Sequence, residues 1–349
     1  MKKILSLVWR FLPAWGRFIF VPLIFMLFVF QGHALLVQKE GDSPLPPLFG
    51  NFKKIRETLT DAPGKDEFGF AVVGDTKSVG VFERICEELR KTEIDFAVLL
   101  GDCSSTGTES AHRYFRAECA EEYALGCPVF YVVGNHDVDP NHFPVSRFEE
   151  LYGPSIFSFE YQDCLFIVLR VMGDPVSDRA SLDFLKSFLT QGTARYRRRF
   201  VFMHIPPPVP SFDAQKSGAP GELIPLFRQL NASYVFAGHY HGYARTEYND
   251  TTYIVSGGGG ARLDHGKLKQ FHHAMVIRVG KDYVSEQIVP VPRSHDLEDR
   301  IERLAITEVY PWLSENRVAA CILNAGLLVV FIGIVKPFYK RRSKKKHVK

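Results

Sequence analysis

The chain has 349 residues, 46% hydrophobic and 23% charged, with 43 Lys and Arg against 39 Asp and Glu. These proportions exclude a collagen, a coiled coil and a largely disordered chain, and the length allows one large domain or two medium ones. The formal balance of +4 conceals a segregation. Residues 1–17 carry Lys2, Lys3, Arg10 and Arg17 and no acid, and residues 336–349 carry eight Lys and Arg and no acid. Without those twelve bases, 31 bases face 39 acids, a net of −8. An acidic body between two basic ends argues against extended nucleic-acid binding.

Each basic end abuts an apolar run. Phe18 to Phe30 has no charged or polar side chain, and the apolar stretch resumes after Ala34 as far as Val37. Residues 1–37 read as an uncleaved membrane anchor. A cleaved secretory signal is the rival reading, with small residues at Gly32-His33-Ala34. Both readings export the body of the chain. Residues 38–67 read as a linker rich in Pro and Gly, with one short polar helix. At the far end, residues 293–317 read as a helical juxtamembrane stalk. Residues 318–335 are uncharged and read as a transmembrane helix, and residues 336–349 as a basic cytoplasmic tail that touches anionic lipid headgroups. The flanking charges place both termini in the cytoplasm, unless the N-terminal signal is cleaved, and the body outside in periplasm or extracellular space.

The body, residues 68–292, opens with repeated β-α units. Phe70–Val73 is a buried strand ending at Gly74-Asp75, and 81–90 has helical periodicity. Asp95–Leu100 is a strand ending at Gly101-Asp102, and 108–124 reads as helix. Val129–Val133 is a strand ending at Gly134-Asn135-His136-Asp137. Then Phe157–Tyr161 and Leu165–Val171 form a strand pair with little between them, and 180–190 reads as helix. Arg199–Met203 is a strand ending at His204, 221–230 a helix, and Ser233–Ala237 a strand ending at Gly238-His239. Tyr253–Ser256 leads into Gly257–Gly260, and Ala274–Val279 with Tyr283–Val289 closes as an antiparallel pair. Such an order predicts an α/β fold, sheets covered by helices. His272 and His273 open a strand, which predicts one inward and one outward side chain. Five cysteines outside the C-terminal span leave at least one thiol unpaired within the chain. Cys119 and Cys127 are the closest pair that could bridge, and small buried thiols are the plainer reading. Gly257–Gly260 lacks the residues of a nucleotide-binding loop. Arg195–Arg199 reads as a solvated turn.

The polar residues at strand ends are Asp75, Asp102, Asn135, His136, His204, His239 and His241. Ligands of open α/β sheets bind outside the carboxyl ends of strands. Carboxylate, imidazole and amide oxygen together suit borderline divalent ions such as Mn, Fe or Zn.

The order Gly-Asp, Gly-Asp, Gly-Asn-His-Asp, His, Gly-His-x-His resembles the calcineurin-like metallophosphoesterase superfamily over about residues 68–290. The resemblance implies a two-sheet β-sandwich flanked by helices, with the terminal transmembrane segments appended. It also implies two divalent metal ions at the sheet edge. Asp102 would bridge them, with Asp75 and His241 on the first ion and Asn135, His204 and His239 on the second. His136 would face substrate and stabilise phosphoryl oxygens, and Asp137 would either orient His136 or cap the following turn, the cap being the favoured reading. A Gly-rich turn such as the one holding Gly258 lines the site in the family, and Arg262 at its exit is a candidate phosphate contact. One position departs from the pattern: Asp75-Thr76-Lys77 stands where Asp-x-His is common. An ammonium has no lone pair for a metal. Either water fills the vacancy, or Lys77 contacts the substrate phosphate, or the first site is empty and the domain only binds. The first two are read together. The implied activity is hydrolysis of a phosphate mono- or diester, such as a lipid headgroup, an envelope precursor or a nucleotide, at the membrane surface. The alternatives are a phosphate-binding scaffold domain and a nuclease of the same superfamily.

Overall fold

The computed structural model describes residues 22–32, 44–77, 80–121, 123–210, 212, 219–263, 269–292, 309, 312–313, 316–329 and 331. The chain divides into two compact units, Gly41–Thr307 and the paired ends Met1–Glu40 with Glu308–Lys349.

In the larger unit, one sheet has the order β11-β10-β1-β2-β3 and the other β4-β5-β6-β7-β9-β8. The first sheet is built from β1 (Phe68–Val73), β2 (Phe96–Leu99), β3 (Val129–Tyr131), β10 (His272–Val279) and β11 (Val284–Val291). The second is built from β4 (Phe157–Tyr161), β5 (Cys164–Val168), β6 (Arg198–Met203), β7 (Tyr234–Ala237), β8 (Tyr243–Tyr248) and β9 (Thr251–Ser256). Strands β1–β3 run parallel, as do β5, β6, β7 and β9. All their carboxyl ends therefore open on one edge of their sheet.

The period-2 alternation of the strands sorts the core. Phe68, Phe70 and Val72 of β1 face the other sheet, while Ala71 and Val73 face helices. Helices α1 (Lys53–Thr60), α2 (Val81–Arg90), α3 (Glu109–Glu121), α4 (Val145–Tyr152), α5 (Pro175–Gln191) and α6 (Leu223–Leu230) supply the cover. Ile85, Phe115 and Phe148 of α2–α4 close the first sheet, and Leu185 and Phe227 of α5 and α6 close the second. Between the sheets the packing is mostly aromatic. Phe70 is fully buried, stacks on Phe96 at 5.1 Å and meets Phe166, Phe200, Phe202 and Phe236 edge-on within 6.0 Å. Truncating such a ring costs about 3–5 kcal/mol.

Several elements differ from the sequence reading. The expected linker is partly built into the body. Gly50 N–H donates to Val129 O, Phe49 is buried, and Ile55 and Leu59 of α1 enter the core between the sheets. Helix α4 and strand β8 are additions to the elements expected. Helix α5 begins at Pro175, ahead of the expected start at 180, because Asp174 caps it by accepting from Val176 N and Ser177 N. All six cysteines are free thiols, so Cys119 and Cys127 form no bridge, and Cys86, Cys103, Cys119 and Cys164 are buried.

His272 and His273 are both buried, against the expectation of one outward ring. Strand β10 is interior to its sheet and covered on both faces, so alternation offers neither ring to water. Burial lowers the His273 pKa from 6.5 to about 4, and that of His112 in α3 to about 3. The unfolded chain thus takes up these protons at higher pH than the folded one. The stability is complete above pH about 6.5 and is lost as the pH falls through the folded values, on the order of 3 kcal/mol for His273 alone. Urea midpoints at pH 7.5 and 5.0 check this. The wild type should lose more on acidification than His273→Gln, and equal losses would overturn the assignment.

The terminal unit contains helical residues 22–32 and 317–329. Asn324 donates its side-chain amide to Gln31 Oε1. Phe25, Met26, Val318 and Ile322 are exposed. Among the described residues no helix is long and apolar enough to cross a membrane. The rest of both expected spans, the basic tail and nearly all of the expected stalk lie outside the described residues.

Candidate metal centre

The predicted residues leave the carboxyl ends of five strands: Asp75 after β1, Asp102 after β2, Asn135 and His136 after β3, His204 after β6, and His239 and His241 after β7. The glycines before them make room for one another's loops. A Cβ on Gly134 would lie 2.3 Å from Asp102 Oδ1, and one on Gly238 would lie 2.7 Å from Asp75 Oδ2. Asp75, Lys77, Asp102 and His239 all hold positive φ, at 59°, 52°, 54° and 70°. Such backbone is costly outside glycine and persists only where the surroundings impose it.

Asp102 Oδ1, Asn135 Oδ1, His204 Nε2 and His239 Nδ1 converge. His204 Nε2 is 3.3 Å from Asp102 Oδ1 and 3.0 Å from Asn135 Oδ1, and His239 Nδ1 is 3.1 Å from Asn135 Oδ1. Ligands about 2.1 Å from one ion stand about 3.0–3.4 Å apart. The tautomer makes the case chemically. His204 Nδ1 lies 2.8 Å from Leu100 O, so that nitrogen carries the proton and donates. In the neutral tautomer that this bond selects, Nε2 is the lone-pair nitrogen, and it is turned towards two oxygens. Three lone-pair atoms facing one another at this spacing fit a cation between them. Burial holds the His239 imidazole down to about 4, so it too offers a lone pair at neutral pH.

Asp75 and His241 form a second, adjoining group. His241 Nδ1 lies 2.7 Å from Arg262 O, which directs its Nε2 to within 3.5 Å of Asp75 Oδ1. Asp75 Oδ2 accepts from His239 N, whereas the buried Oδ1 has no hydrogen-bond partner among the described residues. Here again an imidazole nitrogen faces a carboxylate oxygen. Ligand atoms of Asp75, Asp102 and His204 lie within 4.8 Å of one another. The remaining oxygen of Asp102, Oδ2, accepts from Lys77 Nζ at 2.7 Å. Burial alone would raise the Asp102 pKa, but positive charge beside it, including the ammonium of Lys77, more than offsets this and holds the carboxylate below its ordinary range.

His136 is half-exposed, with Nε2 4.0 Å from Asp102 Oδ2, and its backbone N–H donates to Asp102 Oδ1. Burial lowers its pKa. The Arg262 side chain is exposed, and its carbonyl makes the contact to His241. Gly258 is buried, and a Cβ there would lie 2.3 Å from His273 Nδ1. That packing, not an opening to solvent, accounts for the glycine.

Asp137 does more than cap a turn. Its Oδ2 accepts from Asp102 N and Gly134 N, and its Oδ1 from Ser104 N and Tyr131 Oη, all at 2.8–2.9 Å. It fastens the loop carrying Asp102 to the loop carrying Asn135 and His136. Behind it, His112 Nε2 lies 2.7 Å from Asp137 O and Nδ1 2.9 Å from Tyr152 Oη. No sequence signal points to His112, which stands alone in a helix.

The α/β two-sheet architecture with metal-competent residues at the strand ends is that of a metallophosphoesterase. The profile of the Calcineurin-like phosphoesterase family matches residues 68–243, and the chain belongs to that family. It is 25% identical to a probable cyclic nucleotide phosphodiesterase of Xenorhabdus bovienii over 198 residues, 52% of this chain and 76% of that one. It is 26% identical to the serine/threonine-protein phosphatase CPPED1 of Danio rerio over 291 residues, 76% of this chain and 89% of that one. In fold it is similar to a dimetal phosphatase of Danio rerio, with TM-score 0.51 and 16% identity, covering 64% of this chain and 96% of that one. Similarity to the purple acid phosphatase PPD1 of yellow lupin has the same TM-score at 13% identity, covering 65% of this chain and 52% of that one.

Proposed function

We propose that this chain hydrolyses phosphate mono- or diesters outside the cytoplasm while tethered to the membrane by its ends. The observation that carries the hydrolase reading is the set of lone pairs from Asp102, Asn135, His204 and His239 turned on one point. A divalent ion held there would acidify a water and draw the charge of phosphoryl oxygens. The similarity to a phosphodiesterase and to a protein phosphatase supports both ester classes.

The chain's own groups do the rest. Asp102 shares its two oxygens between the ligand set and Lys77. His136, half-exposed at the rim, is placed to donate to a phosphoryl or leaving-group oxygen. Asp75 and His241 extend the cation-binding surface towards the dinuclear arrangement implied by the family.

Purified full-length protein in detergent with added Mn should hydrolyse p-nitrophenyl phosphate or its bis-ester and stop on addition of EDTA. Absence of turnover with Mn, Fe and Zn would sink the reading. His136→Ala should lower turnover about 10²–10⁴-fold while bound metal is unchanged. Loss of the metal would instead make His136 a ligand.

The tether reading is supported by the basic ends, the two apolar segments and the bond from Asn324 to Gln31 within the terminal unit. Two outward apolar helix faces favour lipid as their solvent, and tethering would concentrate a lipid-headgroup substrate. A protein that leaves the membrane fraction in an alkaline carbonate wash is not anchored in this way.

A further inference from the structure

Lys77 stands where the family commonly has a metal ligand, and its placement is imposed. The residue holds a left-handed backbone at φ 52°. Its N–H donates to Asp102 O at 3.1 Å, and its ammonium donates to Oδ2 of the same residue at 2.7 Å. The Lys77 side chain is 11% exposed and that of Asp102 is 1% exposed, so this is a sheltered pair and not a surface one. Backbone and side chain thus aim a positive charge at the one oxygen that Asp102 has left for a second ion.

The neighbouring atoms nevertheless ask for a cation. Asp75 Oδ1 is buried without a hydrogen-bond partner among the described residues, and it lies 3.5 Å from Nε2 of His241, a ring whose Nδ1 is 2.7 Å from Arg262 O. An ion on Asp75 and His241 that also reached Asp102 would meet the ammonium on the shared carboxylate. Two divalent ions and Lys77 would set five positive charges against two carboxylates.

Resting on the phosphoesterase reading above, we infer that Lys77 is a built-in competitor for the first ion. The set Asp102, Asn135, His204 and His239 binds its ion tightly. The set Asp75, His241 and Asp102 Oδ2 binds its ion weakly, because Lys77 must first leave Asp102. The centre therefore holds one resident ion and one exchangeable ion, and the lysine sets the difference between them.

Calorimetric titration of metal-free, full-length protein with Mn, paired with the Mn electron paramagnetic resonance signal, tests this without reference to turnover. Wild type should show a tight step and a second step that is much weaker or beyond reach. Lys77→Gln should tighten the second step about 10–100-fold, the worth of a hydrogen bond to a charged group, and leave the first unchanged. Lys77→Arg keeps the charge and should keep the second step weak. Lys77→His serves in place of Lys77→Gln if that variant does not fold, and should give spin-coupled Mn pairs. Two equally tight ions in wild type would overturn the inference, as would a second step that stays where it was in both Lys77→Gln and Lys77→His. No binding at either step would overturn the phosphoesterase reading itself.

Discussion

Asp102→Asn is expected to lower turnover about 10³-fold or more and to strip the tightly held ion, with little change in fold. The substitution is nearly isosteric, so its effect isolates charge. Both oxygens of Asp102 are in use: Oδ1 accepts from His136 N at 2.9 Å and lies 3.3 Å from His204 Nε2, and Oδ2 accepts from Lys77 Nζ at 2.7 Å. An amide must turn its NH₂ towards one of these sides. On the Oδ2 side it meets an ammonium, donor against donor. On the Oδ1 side it meets the His136 N–H and spoils the ligand set. Either orientation also leaves Lys77 without its counter-charge in a sheltered place, which is costly. Metal content and steady-state kinetics on the same preparation check the result. Retention of both metal and more than a tenth of wild-type activity would remove Asp102 from the centre of the mechanism.

Asp137→Ala should destabilise the protein by about 3–5 kcal/mol, as when one partner of a buried charged network is removed. It should also lower activity, although Asp137 is not expected to touch substrate. The carboxylate is fully buried, and removing it leaves the N–H groups of Asp102, Ser104 and Gly134 and the Tyr131 hydroxyl without acceptors. Burial and the nearby charge of Asp102 push its pKa up to about 6, against the pull of these donors. Asp137→Asn keeps one acceptor oxygen and should recover part of the stability. A denaturant melt of both variants, read beside their metal affinity, separates loosening of the two loops from loss of a ligand. If Asp137→Ala melts like wild type, the fastening role is wrong.

The positions at the strand ends are legible in the sequence because each succeeds an apolar run and most succeed a glycine, a pattern that local physics alone produces. Their partners are less so. Leu100 and Arg262 act through backbone carbonyls, which carry no residue identity to read. Strand β8 reads Tyr-Ala-Arg-Thr-Glu-Tyr, too polar to register, because it is an edge strand with one side towards water. Its hairpin is set by Asn249 and Asp250, both at positive φ, and that dipeptide is the available signal. Residues 49–60, expected to hold one short polar helix, read as part of a linker because Pro44, Pro46 and Pro47 precede them and Pro63-Gly64 follows. Only two side chains of α1, Ile55 and Leu59, are buried, which is too short a stripe for periodicity to speak. His272 and His273 mislead for a different reason. Alternation decides which face a side chain takes, but not whether that face is wet.

The left-handed backbone at Asp75, Asp102 and His239 has a consequence for how this chain can change. At each of these three positions glycine would relax the main chain while deleting a functional side chain. Selection for thermal tolerance alone would therefore set the relaxed backbone against the lost contacts of each side chain, and wherever the backbone prevailed it would leave an inert protein. Any laboratory evolution for robustness has to score turnover in the same round, or it will erode the very loops that make the sheet edge useful.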